Sequence, residues 1–381
     1  MPEPLPEPLP RPLAAIRVVE LARVLAGPWC GQLLADLGAD VVKVERPGVG
    51  DDTRSWGPPF IEGAAGENLG AAYYHSANRG KRGVAIDIAT PAGQAAVRAL
   101  LADADVVIEN YKVGGLAKYG LDPATLRAAF PRLIVCSITG FGQTGPYASR
   151  AGYDFIIQAM GGAMSLTGEP DGAPQKAGIA YADIFTGMYA TVAILAALRR
   201  RDATGAGAHI DMALLDCQVG VLANQAANYL ASGVAPKRMG NGHANVVPYQ
   251  AFATADGQLV IAVGNDGQFR KLCAILGEPG WAEDPRFATN AARLANRAAL
   301  IPLLAARIAT WPAQPLSLAL EDEGVPAGPI NDLAGVFADP QVIARGMRFR
   351  PDGAFVDGLA SPIVIDGERM AAPGGAPPLQ G

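Results

Sequence analysis

The stretch IRVVELARVLAGPWCGQLLADLGADVVKVE (residues 16–45) decides the fold class, because it contains two strand patterns with a helix pattern between them. Residues 16–21 and 41–45 are short apolar runs rich in valine, as buried strands are. Pro28 suits the first turn of a helix, and Gly38 suits the position just after its end. A strand, a helix and a second strand so close together predict a βαβ unit with parallel strands.

The same alternation continues along the first half of the chain. A longer apolar helix is expected from about residue 184 to residue 201. Repeated strand–helix alternation predicts an α/β fold with a Rossmann-like parallel sheet covered by helices. Further strands are expected at GVAIDI (83–88), DVVIEN (105–110) and LIVCSIT (133–139), and further helix starts at Thr90-Pro91 and Asp122-Pro123.

The character of the sequence changes after residue 225. Residues 249–263 predict a hairpin around Asp256-Gly257. Helical patterns follow at 267–276, 296–310 and 315–323. We therefore predict a large Rossmann-like domain over residues 1–215, with 335–381 packing back on it, and a smaller α+β domain over 225–330.

Composition excludes several classes of protein. Half of the 381 residues are hydrophobic, and the formal net charge is -5. An acidic chain of this kind has no basic field to attract nucleic acid or an anionic membrane. The longest apolar stretches are interrupted by Gly, Asp or Arg, so none is predicted to span a membrane.

The N-terminal sequence and the cysteines indicate the cellular compartment of the protein. The proline-rich start, MPEPLPEPLPRPL (1–13), is predicted to be an extended arm rather than a signal peptide. The cysteines are far apart, which argues against a zinc site and favours a reducing, cytoplasmic environment. They are Cys30, Cys136, Cys217 and Cys273.

The first strand–helix turn bears on the ligand. ELARVLAGPW (20–29) lacks the G-x-G-x-x-G pattern, which argues against a nicotinamide-dependent dehydrogenase. Arg46 and Asn110-Tyr111 follow predicted strand ends, where ligands bind in open α/β sheets. An aromatic ring and an amide beside Lys112 and Lys118 suit an adenine and its phosphates; solvated surface charge is the alternative for each lysine.

Asp183 is a candidate functional carboxylate. It lies at the start of the predicted apolar helix, within a segment (152–190) rich in glycine and small residues. Helix N–H groups and the helix dipole there favour a carboxylate. The alternative is that Asp183 is simply an N-cap. The chain has three histidines and no G-x-S-x-G, H-E-x-x-H or P-loop motif, which favours carboxylate chemistry.

These residues give the sequence its resemblance to class III CoA-transferases of the CaiB/BaiF type. The resemblance covers nearly the whole chain. The motifs that carry it are LAGPWCGQLLADLGADVVKVERPGVGDDTR (25–54), VVIENYKVGGLAKYG (106–120), and GYD (152–154) followed by YADIFTG (181–187).

The resemblance implies an activity and a set of site residues. It implies Asp183 as covalent nucleophile, a CoA thioester as substrate, no metal or prosthetic group, and a homodimer of interlocked subunits. The CoA contacts that it implies are Leu25, Ala26, Arg46, Ile86, Ala89, Asn110, Tyr111, Lys118, Tyr153 and Asp154.

This chain differs from related enzymes at several site positions, and the differences limit the reactions that it can be expected to catalyse. Leu25 stands where formyl-CoA transferase has a glutamine, which argues against formyl or oxalate chemistry, and Lys118 replaces an arginine. Acyl-CoA racemases resemble this chain but carry a histidine at the position of Tyr153, and a tyrosine is a poor base at neutral pH. A racemase and a non-catalytic CoA-binding protein remain as alternatives.

The second half most resembles the dicarboxylate-specific members of the family. This likeness predicts succinyl-CoA as donor and a C4–C6 dicarboxylate as acceptor, with a cation for the second carboxylate from among Arg54, Lys176 and Arg238. Residues 240–248 are predicted to close over Asp183 as a lid. The stretches concerned are RMGNGHANVVPYQAF (238–252), AVGNDGQF (262–269) and GVPAGPIND (324–332).

Overall fold

The computed structural model describes residues 11–380, so most of the predicted N-terminal arm lies outside the described residues. By their contacts the described residues form two compact units. The first contains the chain up to Ala163, Lys176–Ala223 and the residues from Pro340, and the second contains Met164–Gln175 and Asn224–Asp339. Residues 164–175 thus belong to the second unit, whereas the predicted boundaries placed them in the large domain.

The first unit is built on a parallel sheet, which the described residues form from six strands. Their order is β3-β2-β1-β4-β5-β6, the doubly wound order of nucleotide-binding folds. The predicted α/β class and parallel sheet are confirmed. The strands are β1 (Arg17–Glu20), β2 (Asp40–Glu45), β3 (Arg82–Ala85), β4 (Val106–Glu109), β5 (Ile134–Thr139) and β6 (Ala208–Ala213).

Helices connect these strands and begin close to the predicted positions. The hydroxyl of Thr90 accepts a hydrogen bond from the N–H of Gly93, and Asp122 caps its helix in the same way. The helices are α1 (Ala26–Asp36), α2 (Pro91–Ala102), α3 (Pro123–Ala129), α4 (Asp154–Met160), α5 (Tyr181–Thr204) and α6 (Leu214–Gly220).

Alternate residues of each strand enter two different cores. Val18 and Ile134 pack into one hydrophobic cluster, and their neighbours Val19 and Val135 pack into another. Helices therefore cover both faces of the sheet, which explains why its strands are continuous apolar runs. The short elements of this unit are Asp52–Ser55, Phe60–Glu62, Asn68–Ala71, Ala72–Ser76, Ala117–Tyr119, Pro340–Ala344, Arg348–Phe349, Gly358–Leu359, Val364–Ile365 and Glu368–Arg369.

Helix α5 is long and apolar enough to cross a membrane by length and composition, with a mean hydropathy of 1.5. The prediction that no segment spans a membrane stays a prediction, because this test considers length and composition alone. The same test is passed by core helices, and 44% of the relevant window is buried inside the protein. Gly187 shows how closely α5 packs on α1, since a Cβ there would lie 2.7 Å from the Ala26 carbonyl oxygen.

The second unit contains the predicted hairpin, with β7 (Tyr249–Ala253) antiparallel to β8 (Gln258–Ala262) and β9 (Ala327–Pro329) beside β8. The three predicted helices are α7 (Asp266–Ile275), α8 (Arg297–Ile308) and α9 (Ala313–Asp322). They pack with the hairpin around a core of their own. The other helices are Ala223–Ser232, Gly280–Glu283, Asn290–Ala295, Leu333–Ala338 and Ala163–Leu166. The first residues of two of them, Ala223 and Ala163, belong to the first unit.

Candidate active site

The site lies at the carboxyl ends of β1 and β4, where the strand order reverses. The N–H of Arg23 donates to the Asn110 side-chain oxygen at 2.9 Å, and the Asn110 amide donates to the Arg23 carbonyl at 2.7 Å. These bonds join the segments that follow the two strands. A crevice at this switch point is where doubly wound sheets bind ligands.

A cavity of about 710 Å³ opens at this point. Most of the residues predicted to form the site line it together, although they come from separate parts of the chain. They are Leu25, Ala26, Asn110, Tyr111, Lys118, Tyr153 and Asp183.

A second cavity, of about 260 Å³, is lined by three further predicted CoA contacts, Arg46, Ile86 and Ala89. Tyr111 and Arg23 line both cavities, so the two adjoin. Arg46 is exposed at its edge. Together the cavities form one concave surface that runs along the ends of β1, β2 and β4.

Asp154 lines neither cavity, and its contact with CoA stays a prediction. One of its carboxylate oxygens accepts the backbone N–H groups of Ala182 at 2.9 Å and Asp183 at 3.3 Å. The other oxygen accepts from the Gln158 amide at 2.7 Å. Asp154 thus accepts hydrogen bonds from free N–H groups at the start of α5, as a helix-capping residue does.

This arrangement excludes the capping interpretation of Asp183. The N-cap position of α5 is Ala180, and Asp183 lies inside the first turn with its carboxylate in the cavity. Asp183 is half-buried, and no described side chain forms an ion pair with it. Its carboxylate is therefore available to a substrate.

The electrostatics of Asp183 differ from the sequence expectation, which was that the helix terminus would favour the charged form. Burial raises the pKa of the Asp183 carboxyl to about 7, and the nearby Asp154 carboxylate contributes to the rise. Burial and the charge of Asp154 thus favour the protonated form of Asp183. A carboxyl that titrates near neutral pH in a cleft is typical of functional sites.

Tyr73 was not singled out from the sequence, but it belongs to the surroundings of Asp183. Burial raises its pKa to about 12, and the charge of Asp183 is the next largest cause. Its ring also packs edge-on against Trp56 at 5.4 Å between centroids. No sequence motif around Tyr73 indicates that it lies near Asp183.

The predicted cations for a second carboxylate are engaged elsewhere. Arg54 is buried, and its guanidinium makes two hydrogen bonds to Glu45, at 2.9 and 2.7 Å. The prediction for Arg54 is therefore wrong, because its charge is already neutralised. Lys176 is exposed and donates to the carbonyl of Ala177, whereas Arg238 belongs to the second unit and donates to backbone carbonyls there.

Arg150 is a cation that was not predicted from the sequence. It lines the same cavity as Asp183, and its guanidinium lies 4.5 Å from the centroid of the Tyr147 ring and 5.4 Å from that of Phe141. Within residues 11–380, no carboxylate forms an ion pair with it. Aromatic rings hold an arginine in place without neutralising it, so Arg150 can meet an anionic group.

The glycine-bearing segment 240–245 lies in the second unit. The N–H of Gly240 donates to the Gly168 carbonyl, and Arg297 donates to the His243 carbonyl at 2.6 Å. Gly240 has a φ of +56°, a conformation that favours glycine. Closure of this segment over Asp183 stays a prediction. Among residues 11–380, no cluster of His, Cys, Asp or Glu has the arrangement of a metal site.

These observations define an α/β protein with an open ligand site and a reactive carboxyl at its switch point. The chain belongs to CoA-transferase family III, whose model matches residues 13–381. It is therefore a CoA-transferase, and the resemblance found in the sequence is confirmed.

Related proteins support this assignment. The chain is 59% identical over 356 residues to a succinate–glutarate CoA-transferase of Agrobacterium fabrum, covering 93% of this chain and 89% of the relative. It is 46% identical over 335 residues to the succinyl-CoA:glutarate CoA-transferase of Mus musculus, covering 88% and 76%. The crystal structure of a CaiB/BaiF family protein from Brucella suis is 60% identical, with a TM-score of 0.87 and 97% of both chains covered.

Proposed function

We propose that this enzyme transfers CoA from succinyl-CoA to a C4–C6 dicarboxylate such as glutarate, with Asp183 as covalent nucleophile. The observation that carries the proposal is the half-buried Asp183 carboxylate in the switch-point cavity. The donor and the acceptor class rest on the relatives, two of which are named for succinate or succinyl-CoA and glutarate.

The reaction proceeds through two kinds of covalent intermediate on Asp183. The carboxylate attacks the carbonyl carbon of succinyl-CoA and expels CoA thiolate, which gives a mixed anhydride. The thiolate then attacks the aspartyl carbonyl of the anhydride and releases succinate. Asp183 is left as an aspartyl-CoA thioester.

The acceptor reverses these steps. Its carboxylate attacks the aspartyl thioester and expels the thiolate, which forms a second anhydride. The thiolate attacks the acceptor's carbonyl carbon, yielding the new acyl-CoA and the free Asp183 carboxylate. Asp183 must be deprotonated at the outset, and a pKa of about 7 leaves a large fraction ionised at neutral pH.

We place CoA along the two adjoining cavities. The exposed guanidinium of Arg46 is placed to meet the nucleotide end, with Ile86 and Ala89 beside it. Tyr111 bridges the two cavities, and Lys118 lies in the larger one with Leu25 and Ala26, on the way to Asp183. We assign the thioester to the end of this path because the nucleophile is there.

Arg150 supplies the charge for the second carboxylate of a dicarboxylate. A buried carboxylate without a partner is costly, so a dicarboxylate site needs a fixed cation. Arg150 lines the Asp183 cavity, whereas Arg54 is occupied by Glu45. An arginine also matches the planar geometry of a carboxylate.

A homodimer accounts for an apolar stripe on the first unit. Phe185, Met188, Tyr189 and Val192 follow helical spacing along α5, and all are exposed, Val192 by 63%. We assign a second copy of the chain as their cover, in the interlocked arrangement of the family. Sedimentation should give twice the mass of one chain, and Val192→Asp should destabilise the folded dimer by burying a charge. A monomeric wild-type protein that sediments with lipid vesicles would instead identify the stripe as membrane-facing.

The cytoplasm is the compartment that suits this enzyme. All four cysteines are free and buried, and burial raises the pKa of the thiols of Cys30 and Cys273 to about 12. Such thiols are unreactive and need no oxidising compartment. Fractionation of cells that produce the protein would locate it directly.

The test of the proposal is a screen of acyl-CoA donors against carboxylate acceptors, with the CoA products identified by mass. Succinyl-CoA and glutarate should give glutaryl-CoA with the wild-type protein. Incubation with succinyl-CoA and hydroxylamine should convert Asp183 to a hydroxamate that peptide mass spectrometry detects. A hydroxamate on any other residue, or full exchange by Asp183→Asn, would overturn the assignment of the nucleophile.

A further inference from the structure

The backbone at Val24 has an unusual conformation beside the active site. Its φ is +72°, in the left-handed region, which a β-branched residue rarely adopts. Val24 lies in the turn between β1 and α1, immediately before Leu25 and Ala26. Strain of this kind persists only where the surrounding structure holds it, and it is often found at active sites.

Two side chains hold the turn. Both oxygens of the Asp51 carboxylate accept the N–H of Val24, each at 3.2 Å. Asn110 makes the two hydrogen bonds to the backbone of Arg23 described above. The C=O and the N–H of the Arg23–Val24 peptide group are thus both held by side chains, and so is the N–H of Arg23.

Asp51 is itself held in place by an ion pair with a buried lysine. The ammonium group of Lys43 lies 2.9 Å from the Asp51 carboxylate, and both side chains are fully buried. Lys43 also bonds to Glu20 at 2.9 Å and to the Ala22 carbonyl at 3.0 Å. A line of charged contacts therefore connects strands β1 and β2 to the strained turn.

We infer that Asp51 is a positioning residue for acyl transfer: it holds Val24 in the left-handed conformation that presents Leu25 and Ala26 to the substrate. The inference rests on the proposed CoA transfer, because Leu25 and Ala26 line the cavity that contains Asp183. A relaxed turn would shift this wall of the cavity. Small displacements of positioning groups cost a large part of the rate.

Glycine provides the test, because it adopts positive φ without strain. We would remove the support with the double substitution Lys43→Met and Asp51→Ala, both in the wild-type background and in a Val24→Gly background. After the double substitution Glu20, the other acidic partner of Lys43, keeps its buried ion pair with Lys81 at 2.8 Å, so it is not left as an unpaired charge. Asp51→Asn is the second variant, and folding is checked by circular dichroism.

In the wild-type background, the double substitution should lower kcat for succinyl-CoA and glutarate about tenfold to a hundredfold. In the Val24→Gly background the same substitution should cost less than about twofold, since glycine needs no support at this φ. Asp51→Asn should show the same dependence on background, to a smaller extent. Equal costs in both backgrounds would overturn the inference and leave the buried ions with a purely structural role.

The affinity for CoA, measured by calorimetry in the same variants, separates this inference from the proposed function. If the wild-type protein transfers no CoA between any donor and acceptor, the proposed function fails. Even in that case, the double substitution should lower the affinity for CoA in the wild-type background if Asp51 acts through Val24. In the Val24→Gly background it should leave the affinity for CoA unchanged. An affinity that falls equally in both backgrounds would overturn the inference whatever the reaction is.

Discussion

The Asp154 carboxylate accepts the backbone N–H of Asp183 at 3.3 Å, and in the described part of the chain no cation forms an ion pair with either acid. The same residue therefore holds the first turn of α5 and adds negative charge beside the nucleophile. Burial and this charge raise the pKa of Asp183 to about 7. A more basic carboxylate is a better nucleophile, provided that it is still ionised at the working pH.

Asp154→Asn should shift the pH profile of kcat/KM to lower pH. The amide oxygen can still accept the N–H groups of Ala182 and Asp183, but the negative charge that raises the pKa of Asp183 is gone. We expect kcat/KM at pH 6 to rise relative to its plateau by about two- to fivefold. The control is Asp202→Asn, the same substitution at an exposed position of α5 about 28 Å from Asp183. A rising limb that stays at the wild-type position would contradict this role of Asp154.

Asp183→Asn should abolish transfer and stabilise the protein at high pH. The folded-state pKa of Asp183 lies above the ordinary aspartate value of 3.8, so between about pH 4 and pH 7 the folded state binds more protons than the unfolded state. This group therefore costs stability as pH rises through that window. The asparagine variant avoids the cost, and its free energy of unfolding should exceed that of the wild type by about 1–3 kcal/mol at pH 8.

Urea unfolding at pH 4.5 and pH 8 measures this difference. The gain should be small at pH 4.5, where the carboxyl is protonated in the folded state. A helix cap would behave oppositely, with a loss of about 0.5–2 kcal/mol when it is removed. A loss of stability at both pH values would contradict the raised pKa.

Much of the fold was predictable because it depends on local patterns. Short valine-rich runs predicted β1 and β2, and Thr90-Pro91 and Asp122-Pro123 marked helix starts that the structure confirms. The hairpin around Asp256-Gly257 was equally local. Strand alternation then predicts that residues at the strand ends meet at one edge of the sheet.

The electrostatics of the site could not be predicted, because they depend on contacts distant in sequence. Arg54 was proposed as a free cation, but it bonds to Glu45 and to the carbonyl of Pro377, 323 residues away. The hydrogen bonds from the backbone N–H groups of Ala182 and Asp183 to the Asp154 carboxylate were likewise not predicted. Side-chain partners of this kind follow from tertiary packing and leave no periodic signal in the sequence.

Arg46→Ala should weaken binding of CoA by about 1.5–3 kcal/mol, through loss of a charge-assisted contact with the nucleotide end. Arg46 lines the smaller cavity and not the one that contains Asp183, so a pantetheine thioester without the nucleotide should bind nearly as before. Calorimetry with both ligands measures the difference. Equal losses for the two ligands would show that Arg46 does not contact the nucleotide end.

Replacing Gly240 and Gly242 by alanine should raise the ratio of acyl-CoA hydrolysis to transfer several-fold, if residues 240–248 exclude water from the covalent intermediates. Gly240 has a positive φ, and a Cβ at Gly242 would lie 3.1 Å from the Arg297 guanidinium, so both changes strain the segment. Free CoA released in the presence of glutarate measures hydrolysis. Gly257→Ala, in an open hairpin turn of the same unit, is the control. An unchanged ratio would count against a lid.

Arg150→Gln should change the choice of acceptor. The guanidinium lines the cavity of Asp183 and is held over Tyr147 and Phe141 without an acidic partner in the described residues. Its removal should raise KM for glutarate about tenfold, because a second carboxylate then lacks a charge-assisted partner. The KM for butyrate, which has no second carboxylate, should change less than about twofold. Arg200→Gln, an exposed arginine on α5, controls for the lost charge. If KM for succinyl-CoA rises and both acceptors suffer equally, Arg150 binds the phosphates of CoA rather than the acceptor.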